Sequence, residues 1–135
     1  MFRRVSYSSL KSRQKENFNF QKLAARLADY GFNCLRLTDD WQGADFIACH
    51  IDGEMFLKVQ LKGRMCVDKK YQGKEISVGF PEGEDWYVYP HDAFLDLLIA
   101  RGSMNEDSRH WREQGQRSWP KTPVWALDWL KKYKV

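Results

Sequence analysis

The stretch "MFLKVQLKGR" (55–64) decides how this chain folds. Alternate side chains of a strand share a face. Read as a strand, it sets Leu57, Val59 and Leu61 on one face and Lys58, Gln60 and Lys62 on the other. The apolar face predicts a place in the core of a sheet. The other face carries two ammonium groups and an amide, groups that are costly to bury without partners. A core strand with such a face points to a site.

Working outward, "ADFIACHI" (44–51) is a short apolar run with little alternation, the pattern of a central strand covered on both faces. Asp52-Gly53 is a hairpin signal joining it to the strand at 55–62. Before these, "FNCLRL" (32–37) reads as a strand and "TDDWQG" (38–43) as a polar connection. Phe20, Leu23, Ala24 and Leu27 recur at helical steps, so a helix is expected over 13–30, stopped by Gly31. Residues 1–12 form a basic arm ahead of it.

Downstream, 66–75 is a charged connection with at most a short turn of helix. "ISVGF" (76–80) and "DWYVYP" (85–90) are strands around a "PEGE" turn. A helix follows over 91–100, then a polar, irregular stretch over 102–120. A final amphipathic helix spans 123–133, with Pro123 in its first turn and lysines near its C-terminal end. The expected fold is α/β (α+β), a helix followed by a mixed central sheet with flanking helices, in a single domain over 13–135.

A chain of 135 residues with 43% hydrophobic and 15% aromatic content builds a real core, which excludes a disordered protein. No apolar run is long enough to cross a bilayer, so no membrane partner is expected. Cys34, Cys49 and Cys66 are odd in number and widely spaced. They imply neither a disulfide framework nor a structural zinc site, and they fit a reducing, cytoplasmic setting. His50, His91 and His110 lack ligand spacing.

The net charge of +4 is modest but arranged in blocks. Residues 1–36 hold eight bases against two acids, 58–74 six against one, and 108–135 seven against two; 37–54 and 75–107 are acidic. Converging basic blocks favour a polyanion; otherwise this is a solvated, mixed-charge surface.

If the strands at 44–51 and 55–62 pair, Asp45 meets Gln60 and Lys62 at one end of the sheet. That set suits phosphodiester hydrolysis. A hard cation such as Mg²⁺ (or Mn²⁺) takes oxygen ligands: the Asp45 carboxylate, the Gln60 side-chain carbonyl and the Leu61 backbone carbonyl. Lys62 orients the attacking water and stabilises charge on the phosphorane.

The run "GADFIA", then "VQLK", behind a helix ending "LAARLADYGF", resembles the PD-(D/E)XK nuclease superfamily, in particular its small Holliday-junction-resolvase, Mrr-like or homing-endonuclease-like members. The resemblance covers roughly residues 14–64. It implies a restriction-endonuclease-like core and a Mg²⁺-dependent endonuclease acting on DNA. Asp45 matches the motif acid and Lys62 the motif lysine, while the second acid falls at Gln60. Gln60 removes one negative charge beside the metal, worth about 4 kcal/mol at about 4 Å and an effective dielectric of about 20 before solvation offsets it. A helper acid on the first helix would be supplied by Glu16, or its role taken by Gln21; Phe20 holds the usual place.

On this reading Lys58, Arg64, Lys69, Lys70, Arg13 and Lys15 contact phosphates. Cleavage of both DNA strands favours a homodimer. Trp86, Tyr87 and Tyr89 either stack on bases or fill the core. Trp111, Trp119, Trp125 and Trp129 cover the sheet or a second subunit. Asp39 and Asp40 serve the turn. Two other readings stand beside the nuclease: the same fold as a catalytically inert module binding DNA or a protein, and an α/β interaction domain in which the motif is accidental.

Overall fold

The computed structural model describes residues 1–104 and 109–135. Helix α1 (Ser12–Ala28) leads into β1 (Phe32–Trp41), β2 (Ala44–His50) and β3 (Phe56–Leu61). After β4 (Cys66–Asp68) come β5 (Ile76–Glu82), β6 (Asp85–Pro90), α2 (His91–Ala100), β7 (Gln116–Ser118) and α3 (Val124–Leu130). The central sheet has the order β1-β2-β3-β5-β6. Only β3 and β5 run parallel; the other neighbours are antiparallel. This is the expected mixed sheet with flanking helices.

The alternation in β3 does what the sequence implies. Val59 is fully buried, and with Leu57 and Leu61 it joins the cluster under α1, where Leu23 and Leu27 meet Phe46, Ala48, Trp86 and Val88. α1 comes so close that a Cβ on Gly79 would lie 2.5 Å from Leu23 Cδ2. The opposite face of β5 and β6 packs Ile76, Val78, Phe80 and Tyr89 against Phe94, Leu95 and Leu98 of α2 and Ala126 and Leu130 of α3. The register Leu35↔Ile47↔Lys58↔Ile76 carries that same face across to β1, where Leu35 stays 53% exposed. The polar face of β3 therefore borders a packed half and an open half of the sheet.

Three segments differ from expectation. β1 runs on to Trp41 instead of ending at Leu37, because the register shifts between Arg36 and Trp41. The bulge lets the strand continue, and the hairpin closes on Gln42-Gly43 alone, both at positive φ (54° and 91°). Second, the connection 66–75 holds β4 as well as the expected short turn, a 3₁₀ turn at Lys69–Tyr71. Third, 102–120 is not irregular throughout: a π-helical turn (His110–Gln114) leads into β7, which pairs antiparallel with β4. Residues 105–108 of that stretch lie outside the described residues. The ribbon joins two three-residue pieces, held by the burial of Cys66, Val67 and Trp119.

Trp86, Tyr87 and Tyr89 are buried, so they build the core and do not stack on bases. Tyr89 Oη accepts from Cys66 N–H (3.0 Å) and donates to Cys66 C=O (2.6 Å), pinning β4 to the sheet. Trp111, Trp125 and Trp129 pack on the same core. His91, fully buried, accepts the Asp68 N–H at Nε2 (2.9 Å). Nδ1 is thereby the protonated nitrogen and donates to Asp92 Oδ1 (2.9 Å), whose Oδ2 accepts Gly73 N–H (2.9 Å). This chain of bonds anchors the β3–β5 crossover to the start of α2. Among the described residues no helix is long and apolar enough to cross a membrane.

Candidate active site

Four segments converge at one end of the sheet. Glu16 of α1, the bulged end of β1, Asp45 at the start of β2 and Gln60–Lys62 at the end of β3 line a cavity of about 350 Å³. Asp45 is placed by the hairpin turn just before it and held by β3: its Oδ2 accepts the Leu61 N–H at 2.8 Å. The β2–β3 ladder reaches Phe46↔Val59, and the side chain takes over one step further on. Burial foremost raises the Asp45 pKa. The Leu61 N–H and the Lys62 charge oppose that shift, and the carboxylates of Asp40 and Glu16 add to it.

Gln60 stands across from Asp45 by the same register. Its Nε2 donates a long bond to Leu61 C=O (3.4 Å). Lys62 donates its backbone N–H to Gly79 C=O (2.9 Å), which fixes the strand end, while its Nζ lies 5.6 Å from the centre of the Tyr71 ring. Lys70 Nζ meets the same ring at 5.2 Å. Burial pushes the Tyr71 phenol up to about 12, so it stays neutral. The ring also closes on the β1–β2 turn, where a Cβ on Gly43 would lie 2.9 Å from Tyr71 Cδ1. One buried ring thus touches the turn that aims Asp45 and carries the ammonium of Lys62.

The fold brings together Asp45, Gln60, Leu61, Lys62 and Glu16. Gln21, the other helper candidate, lies in a separate groove with Val5 and Leu10, and Phe20 packs edge-on against Phe46. Of the phosphate-contact candidates, Lys58 lies on the same strand face, its Nζ 5.9 Å from the Trp41 ring. Arg64 is exposed in a neighbouring cleft. Arg13 and Lys15 sit in the first turn of α1, with Lys15 over Tyr7 (5.3 Å). Lys69 and Lys70 belong to the 3₁₀ turn that carries Tyr71, with Lys69 over Trp111 (5.1 Å).

Sequence reasoning missed two contributors. Asp40 does serve the turn, accepting Gly43 N–H at 2.8 Å, but it also lines the cavity with Asp39 and Arg36. The signal lies in the continuation of β1 through Thr38–Asp40 to Trp41. Tyr71 had no signal in its charged surroundings. Among the described residues no set of three His, Cys, Asp or Glu side chains is spaced to hold a metal. The oxygens that could hold a cation here are the Asp45 carboxylate and the neutral oxygens of Gln60 and Leu61. These are hard oxygen donors, and Asp45 Oδ1 carries no hydrogen bond from the described residues, so the set suits Mg²⁺ or Mn²⁺.

The chain has an endonuclease-like fold. It is similar to the solved structure of a bacterial homing endonuclease, I-Ssp6803I, with a TM-score of 0.50 and 19% identity over 91% of this chain and 94% of that one. At that identity the likeness is one of fold. No family model and no curated protein sequence matches the chain.

Proposed function

We propose that this protein is a metal-dependent DNA endonuclease of the PD-(D/E)XK type. The observation that carries the reading is the Asp45 carboxylate tied to the Leu61 N–H in a cavity shared with Gln60 and Lys62. Asp45 Oδ1, Gln60 Oε1 and Leu61 C=O would hold Mg²⁺ or Mn²⁺, which when bound polarises the phosphate and acidifies a water. Rotation of the terminal Gln60 torsion, a soft one, exchanges Nε2 for Oε1. Lys62 would swing from the Tyr71 ring to orient the attacking water and meet the negative charge that builds on the phosphoryl oxygens. Glu16, Asp39, Asp40 and Asp45 outnumber Arg36 and Lys62 in the cavity, so a bound cation favours the entry of a phosphate. The protein acts as a homodimer, so that two sites face the two strands of a duplex.

Cleavage of plasmid and four-way-junction DNA with Mg²⁺ or Mn²⁺ tests this. Cutting lost in both Asp45→Ala and Lys62→Ala is the expected result. A parent that binds DNA but never cuts, indifferent to both substitutions, supports a second reading: an inert module of the same fold that binds DNA or a protein. The Gln60 amide, facing Leu61 C=O where an acid would bind metal, favours that reading.

A further inference from the structure

Beyond Lys62 lies a second and larger cleft, of about 710 Å³, between the end of β3 and the β4–β7 ribbon. Lys62 lines both cavities, so the two adjoin across its side chain. Their charge balances are opposite. The site holds Glu16, Asp39, Asp40 and Asp45 against Arg36 and Lys62. The cleft holds Lys62, Arg64 and Arg117 and a single carboxylate, Asp68. Asp68 is already engaged: it accepts Lys70 N–H at 3.0 Å and lies 3.9 Å from Lys70 Nζ.

The cleft's donors differ in freedom. Arg117 gives Nη1 to Ser103 C=O (2.8 Å) and lies 4.7 Å over Trp119, so it stiffens the wall. Arg64 is exposed and has no ion pair or hydrogen bond among the described residues. Gln116 and Ser118 project from one face of β7 and are exposed. Gly63, beside Arg64, has no atom within 4 Å of an added Cβ, which leaves the backbone open to close approach. A guanidinium, an amide and a hydroxyl all donate to phosphate oxygens.

We propose that this cleft seats a phosphodiester flanking the scissile one, with Arg64 as its charge partner and Gln116 and Ser118 as neutral donors. The inference rests on the nuclease reading of the adjoining site. A DNA strand carries one negative charge per residue, and the acidic site alone repels it. The cleft holds the neighbouring phosphate and so delivers the next one past Lys62.

The test is a methylphosphonate scan of a duplex, each phosphate neutralised in turn, with affinity measured by fluorescence anisotropy without Mg²⁺ so that nothing is cut. In the parent, one neutralised phosphate weakens binding. In Arg64→Ala the same substitution costs much less, only what Gln116 and Ser118 contribute, and Arg64→Lys restores part of its effect. Between about 50 and 200 mM salt the parent loses about 3.5-fold more affinity than Arg64→Ala, the loss due to one phosphate contact. Equal scans in parent and Arg64→Ala overturn the proposal, even where the parent cuts DNA normally. A scan that changes as expected in a parent that never cuts sinks the nuclease reading and leaves the cleft a phosphate seat. A parent that binds no duplex overturns both.

Discussion

Replacing Gly43 by alanine perturbs the turn that aims Asp45, and its cost can be worked from two contacts. Gly43 has φ 91°, a left-handed conformation that costs an L-residue about 1–2 kcal/mol. The new Cβ would lie 2.9 Å from Tyr71 Cδ1 and 3.1 Å from Cε1, whereas carbon atoms rest at about 3.5–4.0 Å. The ring is buried against His91 at its edge and cannot simply retreat. Overpacking of this kind adds about 1–3 kcal/mol. The total is about 3 kcal/mol, roughly 10–15 °C in Tm for a chain of this size. Urea denaturation and thermal melts read the loss. Adding Tyr71→Leu removes the clash and leaves the backbone strain, so the double variant should be less destabilised than the sum by about 1–2 kcal/mol. A Gly43→Ala protein within about 0.5 kcal/mol of the parent, or strictly additive losses, would refute the packing of Tyr71 on this turn.

Asp45→Asn should stabilise the protein at neutral pH while abolishing cleavage. The folded-state pKa of Asp45 is raised, so its ionised form is a cost that appears as pH rises through the ordinary carboxylate range and is complete above the raised value. The gain in Tm should vanish below about pH 4, and a gain that persists there would contradict the charge argument. Gln60→Glu should tighten Mg²⁺ binding by isothermal titration calorimetry, by up to about 4 kcal/mol before solvation offsets it; unchanged affinity would remove Gln60 from the ligand set. His91→Ala strands the Asp68 N–H, removes one of the partners of the Asp92 carboxylate and leaves a cavity, at about 3 kcal/mol by urea denaturation. A loss below about 1 kcal/mol would show that the crossover holds without it.

The candidate site was legible because its residues sit on local pattern. Strand alternation put Gln60 and Lys62 in phase, a glycine and an apolar run marked Asp45, and Gly31 ended the helix that carries Glu16. What escaped was set by contacts distant in sequence. Val67 and Arg117 pair across 50 residues, and three-residue strands show no periodicity. The polar letters of Thr38–Asp40 concealed a strand whose register is kept by a bulge. Tyr71 looked like one aromatic among charges, yet burial against Gly43 and His91 makes it the post on which two lysines rest.

The catalytic candidates all gather where β2 begins and β3 ends. The hairpin at the other end of that strand pair has the opposite character. Asp52 Oδ1 accepts the N–H groups of Glu54 and Met55 at 2.8 and 2.9 Å, so the tip closes on itself, while Ile51 N–H at its base donates to Gly31 C=O at 2.9 Å. Gly53 has nothing within 4 Å of an added Cβ. Such a self-contained loop tip is a natural port for grafting. A peptide epitope, a fluorophore or a separate DNA-reading module inserted at Gly53 would hang from the strand pair that bears the candidate site, a full strand's length from Asp45 and Lys62.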